Sequence, residues 1–182
     1  MEFTFRIRLL YVSKPFVWRR LLVPAHYSFD HLHRIIQVSF GWGDYHAYSF
    51  APRETNNDLV IKIPSEIHFF PTEDARLHAL SDYFREEKQT FIYEYDAGDH
   101  WTHRITLEKI TPQEAGRPRC VAGKGKCPPE DCGGAWGYEE FKEKLSGPGY
   151  PDLREWAGLG PDQIWDPFEF DLERADALVQ RL

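Results

Sequence analysis

The chain has 182 residues, 42% hydrophobic, 28% charged and 15% aromatic, with a net charge of −7 and an isoelectric point near 5.6. Such a chain forms one globular domain and buries a core without disulfide or metal staples. The acidic balance argues against bulk nucleic-acid binding, which needs clustered Lys and Arg. Only Arg19-Arg20 and the stretch RPRCVAGKGK at 117–126 offer local basic patches. No apolar run reaches the length of a membrane span, and MEFTFRIRLLYV lacks a signal-peptide layout. A cytoplasmic location is therefore expected, with thiols reduced or metal-bound.

Residues 3–11 alternate, with Phe3, Phe5, Ile7, Leu9 and Tyr11 on one face, which predicts a half-buried strand. Ser13-Lys14-Pro15 interrupts it, Phe16 to Val23 returns, and Pro24 stops the return. Ser28 then caps a helix with Asp30 in its first turn; Phe29, Leu32, Ile35, Ile36 and Phe40 recur at helical spacing, and Gly41 ends it. Short strands are expected around His46 to Phe50 and Leu59 to Ile63, with a polar turn over 53–58. Residues 64–74 read as irregular and 75–84 as holding a short helix.

Phe91, Tyr93 and Tyr95 share a face, as do Trp101, His103, Ile105 and Leu107, so residues 91–108 read as a hairpin turning at 96–100. Residues 111–137, rich in Pro, Gly and Cys, read as a long loop of the kind that is usually functional or metal-tied. Helices are expected near 138–145, 151–157 and from 172. The expected fold is a single α+β domain over 1–182. Its sheet–helix core (1–110) is a hairpin–helix–strands unit like a β-grasp or roll, followed by a loop and helical part (111–182).

Four segments occur in order: PFVWRRLLVP at 15–24, GWGDYHAYSF at 41–50, FIYEYDAGDHWTHRITLE at 91–108 and PRCVAGKGKCPPEDCGGAWGYEEF at 118–141. Together they strongly resemble the Ri-plasmid ORF-three-like family (plasmid pRiA4b ORF-3-like), over nearly the whole chain. The resemblance implies an α+β fold with a mixed or antiparallel sheet packed on helices. It also implies relatives on plasmids, mobile elements and chromosomes. Some members carry a transposon-resolvase label. Serine recombinases need an N-terminal nucleophilic serine supported by arginines, and Ser13, in a hairpin turn, has no such setting. The family brings no established reaction with it.

Chemistry-bearing residues fall in two clusters. Asp96, Asp99, Trp101 and His103 lie on the hairpin, and Glu130-Asp131 sit between the stiff Pro128-Pro129 and the pliant Gly133-Gly134. The expectation is a polar cleft shared by the Asp96–His103 hairpin and the Cys127–Gly134 loop, with His46 and Arg19 as further lining. Each residue also has a plain structural role: His103 as a core imidazole with one hydrogen bond, Asp96 and Asp99 as turn acids, and Asp131 as a cap. One of Arg19 and Arg20 is expected to meet the carboxylates and the other solvent. Cys120, Cys127 and Cys132, with His100, form a candidate zinc set, although C-x6-C-x4-C is not a knuckle spacing.

Three functional classes follow. The first is a non-catalytic binding or accessory protein, in the setting of a mobile element, for a ligand or protein partner. The second is a metal-dependent hydrolase or nuclease using the Asp, Glu and His residues with a divalent metal. The third is a zinc-stabilised interaction module.

Overall fold

Apolar alternation sets the sheet. In the computed structural model, which describes residues 1–52, 59–64, 71–113, 116–147, 149–160 and 163–182, β1 (Glu2–Leu9) buries Phe3, Phe5, Ile7 and Leu9 on one face. It pairs antiparallel with β2 (Trp18–Pro24) on one side and with β7 (Trp101–Thr111) on the other. The sheet extends through β6 (Thr90–Tyr95), β3 (Tyr48–Ala51), β4 (Val60–Lys62) and β5 (Thr72–Asp74), and ends on the far side at β8 (Arg119–Lys124). Eight strands thus stand in the order β5-β4-β3-β6-β7-β1-β2-β8. Only β4 and β5 run parallel.

Helix α1 (Phe29–Phe40) begins where Ser28 accepts the His31 N–H and ends at Gly41, whose φ of 90° is the left-handed cap conformation. Its buried side covers the inward face of the sheet. Phe29 sits among the rings of Phe50 (5.1 Å), Tyr83 (5.3 Å) and Phe91 (5.7 Å), edge-on or tilted. The short α2 (Leu80–Tyr83) adds Leu80 to this cluster. From the C-terminal part, α3 (Gly134–Lys144), α4 (Pro151–Trp156) and α5 (Leu172–Val179) follow, with α5 against α1 and β8. Tyr138, Phe141 and Trp165 extend the same core. The opposite sheet face is polar: Arg20 forms a two-pronged ion pair with Glu108 (2.6 and 3.1 Å), and Arg6 lies over Trp18.

Two expectations are corrected. Residues 72–74, read as irregular, form β5, and residues 119–124, read as loop, form β8. Both are edge strands with one partner each, and neither shows clear alternation: β5 has three residues and buries none, and β8 buries only Cys120. The C-terminal part therefore contributes to the sheet and is not only loop and helix. The turn expected over 53–58 lies outside the described residues.

Because Phe29 joins α1 to the sheet through Phe50 and Phe91 and to α2 through Tyr83, Phe29→Ala is expected to cost about 3–5 kcal/mol. A denaturant titration should show a lower midpoint with unchanged slope.

Candidate functional site

The two polar clusters meet. The hairpin turn between β6 and β7 is held by Asp96, whose backbone has φ of 61° and whose Oδ1 accepts the Gly98 N–H at 2.8 Å. The 127–134 loop docks on this turn at two points. Gly133 N–H donates to Asp99 Oδ2 at 3.2 Å, and the Tyr95 hydroxyl donates to Glu130. Gly134 allows the approach: a Cβ there would lie 2.5 Å from the Asp99 carbonyl oxygen. Trp42 Nε1–H adds a third anchor, donating to the Pro128 carbonyl at 2.9 Å. Asp99 and Glu130 therefore hold the junction together, while Asp96 and Asp131 face a common point.

His46 stands at that point. Its Nε2 lies 3.1 Å from Asp131 Oδ1 and 3.7 Å from Asp96 Oδ2. The atom is buried without a hydrogen bond among the described residues. Asp96 is almost wholly buried and Asp131 exposed. Among the described residues, His46, Asp96 and Asp131 are the one set of three or more His, Cys, Asp or Glu whose ligand atoms lie within 4.8 Å of one another.

The 41–47 turn that carries His46 is fixed from behind by a closed hydrogen-bond ring that sequence reading missed. Gln37 Nε2 donates to the Tyr93 hydroxyl (2.9 Å), which lies 2.8 Å from His33 Nδ1. His33 Nε2 lies 2.8 Å from Asp44 Oδ1, and Asp44 N–H donates to Gln37 Oε1 (3.2 Å). A neutral His33 with its proton on Nε2 satisfies all four: it donates to the carboxylate and accepts from the tyrosine. Tyr45 N–H donates to the Tyr95 hydroxyl at 3.0 Å, which links this ring to the loop. The available signal was His33 and Gln37 four residues apart on one helix face, four and eight residues before Gly41.

Trp101 and His103 are corrected. Strand alternation turns both inward, so neither lines the junction with the acids. His103 is fully buried and T-shaped against Phe40 and Trp42. Its Nδ1 donates to the Trp101 carbonyl at 3.0 Å, and its Nε2, like Trp101 Nε1, has no hydrogen-bond partner among the described residues. Burial pulls His103 down to about 3.

Arg19 is also corrected: among the described residues it meets no carboxylate. It donates to the carbonyls of Ser39, Trp18, Lys124 and Gly125 and lies over Phe170 at 3.8 Å. Burial lowers it to about 10, so it stays charged. Arg20, the alternate residue, is the one that finds an acid.

The cysteine set does not assemble. Cys120 pairs with Leu21 inside the sheet, whereas Cys127 and Cys132 ride the docking loop and His100 faces Glu94 at 3.4 Å. Burial pushes Cys120 up to about 11 and Cys132 to about 12, with Cys127 also raised, so Lys124 and Lys126 create no reactive thiolate.

Beside the junction lies a cavity of about 510 Å³. Trp42, Trp156, Trp165 and Phe170 line it with Arg19 and Lys126. Loop residues 126–130 form part of its wall, so the docked loop shapes both the carboxylate junction and the cavity.

A family model described as plasmid pRiA4b ORF-3-like protein matches residues 2–174. The uncharacterized protein y4hQ of Sinorhizobium fredii is 35% identical over 149 residues, covering 80% of this chain and 75% of that protein. The crystal structure of a protein of unknown function, MM3350 from Methanosarcina mazei Go1, superposes with a TM-score of 0.77 at 35% identity. That match covers 94% of this chain and 96% of the other.

Burial lowers both His33 and His103, so each holds more protons unfolded than folded in mild acid. Stability is full above pH of about 6.5 and is lost as pH falls toward the folded values. Between about pH 6.5 and 5, above most carboxylate titration, unfolding free energy should fall by at most about 1.4 kcal/mol per pH unit per histidine. Denaturant titrations across that window should show a shallower pH slope in His103→Leu; an unchanged slope would rule His103 out.

Proposed function

The chain belongs to the plasmid pRiA4b ORF-3-like family, and we propose that it is a non-catalytic binding or accessory protein working through the cleft beside the hairpin–loop junction. The observation that supports this reading is the cavity of about 510 Å³ walled by five aromatic rings, those of Phe40, Trp42, Trp156, Trp165 and Phe170. Its size and lining are those of a small-ligand or side-chain pocket. Trp156 is half exposed at its rim, and Lys126, over the Trp165 ring at 4.3 Å, adds a cation. The Cys127 thiol that borders it is held protonated by burial, which suits packing and not nucleophilic attack. The plasmid reading frame in the family's name fits an accessory role on a mobile element.

A second reading, a metal-dependent hydrolase or nuclease, is favoured by one observation: His46, Asp96 and Asp131 converge. Carboxylates with an imidazole can hold a hydrolytic metal. In this reading Asp99 and Glu130 position the loop and do not touch the substrate.

The test is a tryptophan-fluorescence titration with aromatic carboxylates, nucleotides and short peptides, followed by mass analysis of each bound compound. The binding reading expects saturable quenching by one class, recovered chemically unchanged. Trp156→Ala should weaken it by about tenfold or more, the scale of a well-packed anchor ring. Turnover of the compound that disappears in Asp96→Asn would favour the hydrolase.

A further inference from the structure

We infer that His46, Asp96 and Asp131 form a binding site for a divalent transition cation of the zinc class, clamping three chain segments at the hairpin–loop junction. The site lies outside the aromatic cavity, so the inference goes beyond the binding reading and stands whether or not that cavity has a ligand.

Geometry is the first argument. Cation–ligand bonds of about 2.0–2.2 Å place neighbouring ligand atoms roughly 3.0–3.5 Å apart. His46 Nε2 lies 3.1 Å from one carboxylate oxygen and 3.7 Å from the other. The remaining edge, between the two carboxylates, is no longer than 4.8 Å. Asp131 is 68% exposed at its side chain and can rotate to close it.

The second argument is the imidazole itself. His46 Nε2 is buried and makes no hydrogen bond among the described residues, although it faces two carboxylates. A buried ring nitrogen without a hydrogen-bond partner is unfavourable. A cation coordinated by that nitrogen removes the cost. The same cation would neutralise the two carboxylates that the fold brings together. Asp96 is 8% exposed at its side chain; Oδ1 is held by Gly98 N–H, which leaves Oδ2 turned toward His46.

The surroundings fix the ligands without occupying them. Tyr95 holds Glu130, next to Asp131, and packs edge-on against the His46 ring at 5.8 Å. Asp99 holds Gly133 on the other side of Asp131. Supports of this kind orient ligand residues in metal sites. One imidazole and two carboxylates suit zinc or a neighbouring transition ion better than calcium or magnesium, which favour all-oxygen shells. Three protein ligands leave at least one coordination position for water or a ligand atom.

The experiment uses the full chain, stripped with chelator and titrated with zinc chloride by calorimetry, with the melting temperature followed in parallel. A single equivalent should bind and raise the melting temperature. Asp131→Asn, at an exposed position, leaves the fold intact, and Asp96→Asn keeps the Gly98 contact and tolerates positive φ. Each should weaken zinc binding by at least about 100-fold, at or beyond the upper end for losing an outer support. A variant with all three cysteines changed to serine should bind zinc as before. Wild-type affinity in Asp131→Asn, loss of zinc in the cysteine variant, or no saturable binding in the native chain would each overturn the site.

Discussion

The Tyr93 hydroxyl, buried at the centre of the sheet, is the constraint on which the site rests. A phenol there must find partners or cost stability. Its partners, Gln37 and His33, both come from α1, so the hydroxyl fixes the helix over the sheet in rotation as well as in distance. The same two side chains then reach out to Asp44 and hold the turn after the helix. Hydrophobic burial alone brings α1 onto the sheet; the polar ring selects one placement of it.

From that ring the order propagates outward. Asp44 fixes the turn, Tyr45 N–H meets the Tyr95 hydroxyl, and Tyr95 captures Glu130 of the docking loop. Tyr93 and Tyr95 alternate in the same strand and share one face, so a single strand serves both the helix and the loop. Three remote segments converge on His46, Asp96 and Asp131 as a result. Partly buried hydrogen bonds to a carboxylate, such as that from Tyr95 to Glu130, are among the stronger links available to a loop.

Arg19 plays the corresponding role on the other flank. Its guanidinium ties β2 to the end of α1, to the last residue of β8 and to Gly125 after it, through carbonyls. The planar cation lies over the Phe40 ring at 4.8 Å and the Phe170 ring at 3.8 Å. A lysine would keep the charge but lose the fork and the stacking. The cavity wall is therefore built on a rigid cation–aromatic stack, and the aromatic richness of the chain is concentrated where it shapes a surface.

Much of this was legible in the chain itself. Alternation in β1, β6 and β7, the Ser28 and Gly41 caps, the turn at 96–100 and the double glycine after Asp131 report local physics, which near neighbours in sequence decide. The acidic pairs on the hairpin and on the loop were readable as candidates for the same reason. The edge strands β5 and β8 were not, because β5 buries no side chain and β8 only Cys120, so neither carries an apolar alternation. The roles within each cluster were not either. Whether His103 faces a cleft or a core, whether Arg19 or Arg20 finds an acid, and whether the thiols meet all depend on which face each strand turns to a helix far away in sequence. The junction of His46, Asp96 and Asp131 is likewise a product of long-range packing: no spacing rule links those positions, and only the docking of loop, turn and hairpin around the tyrosine hydroxyls brings them together.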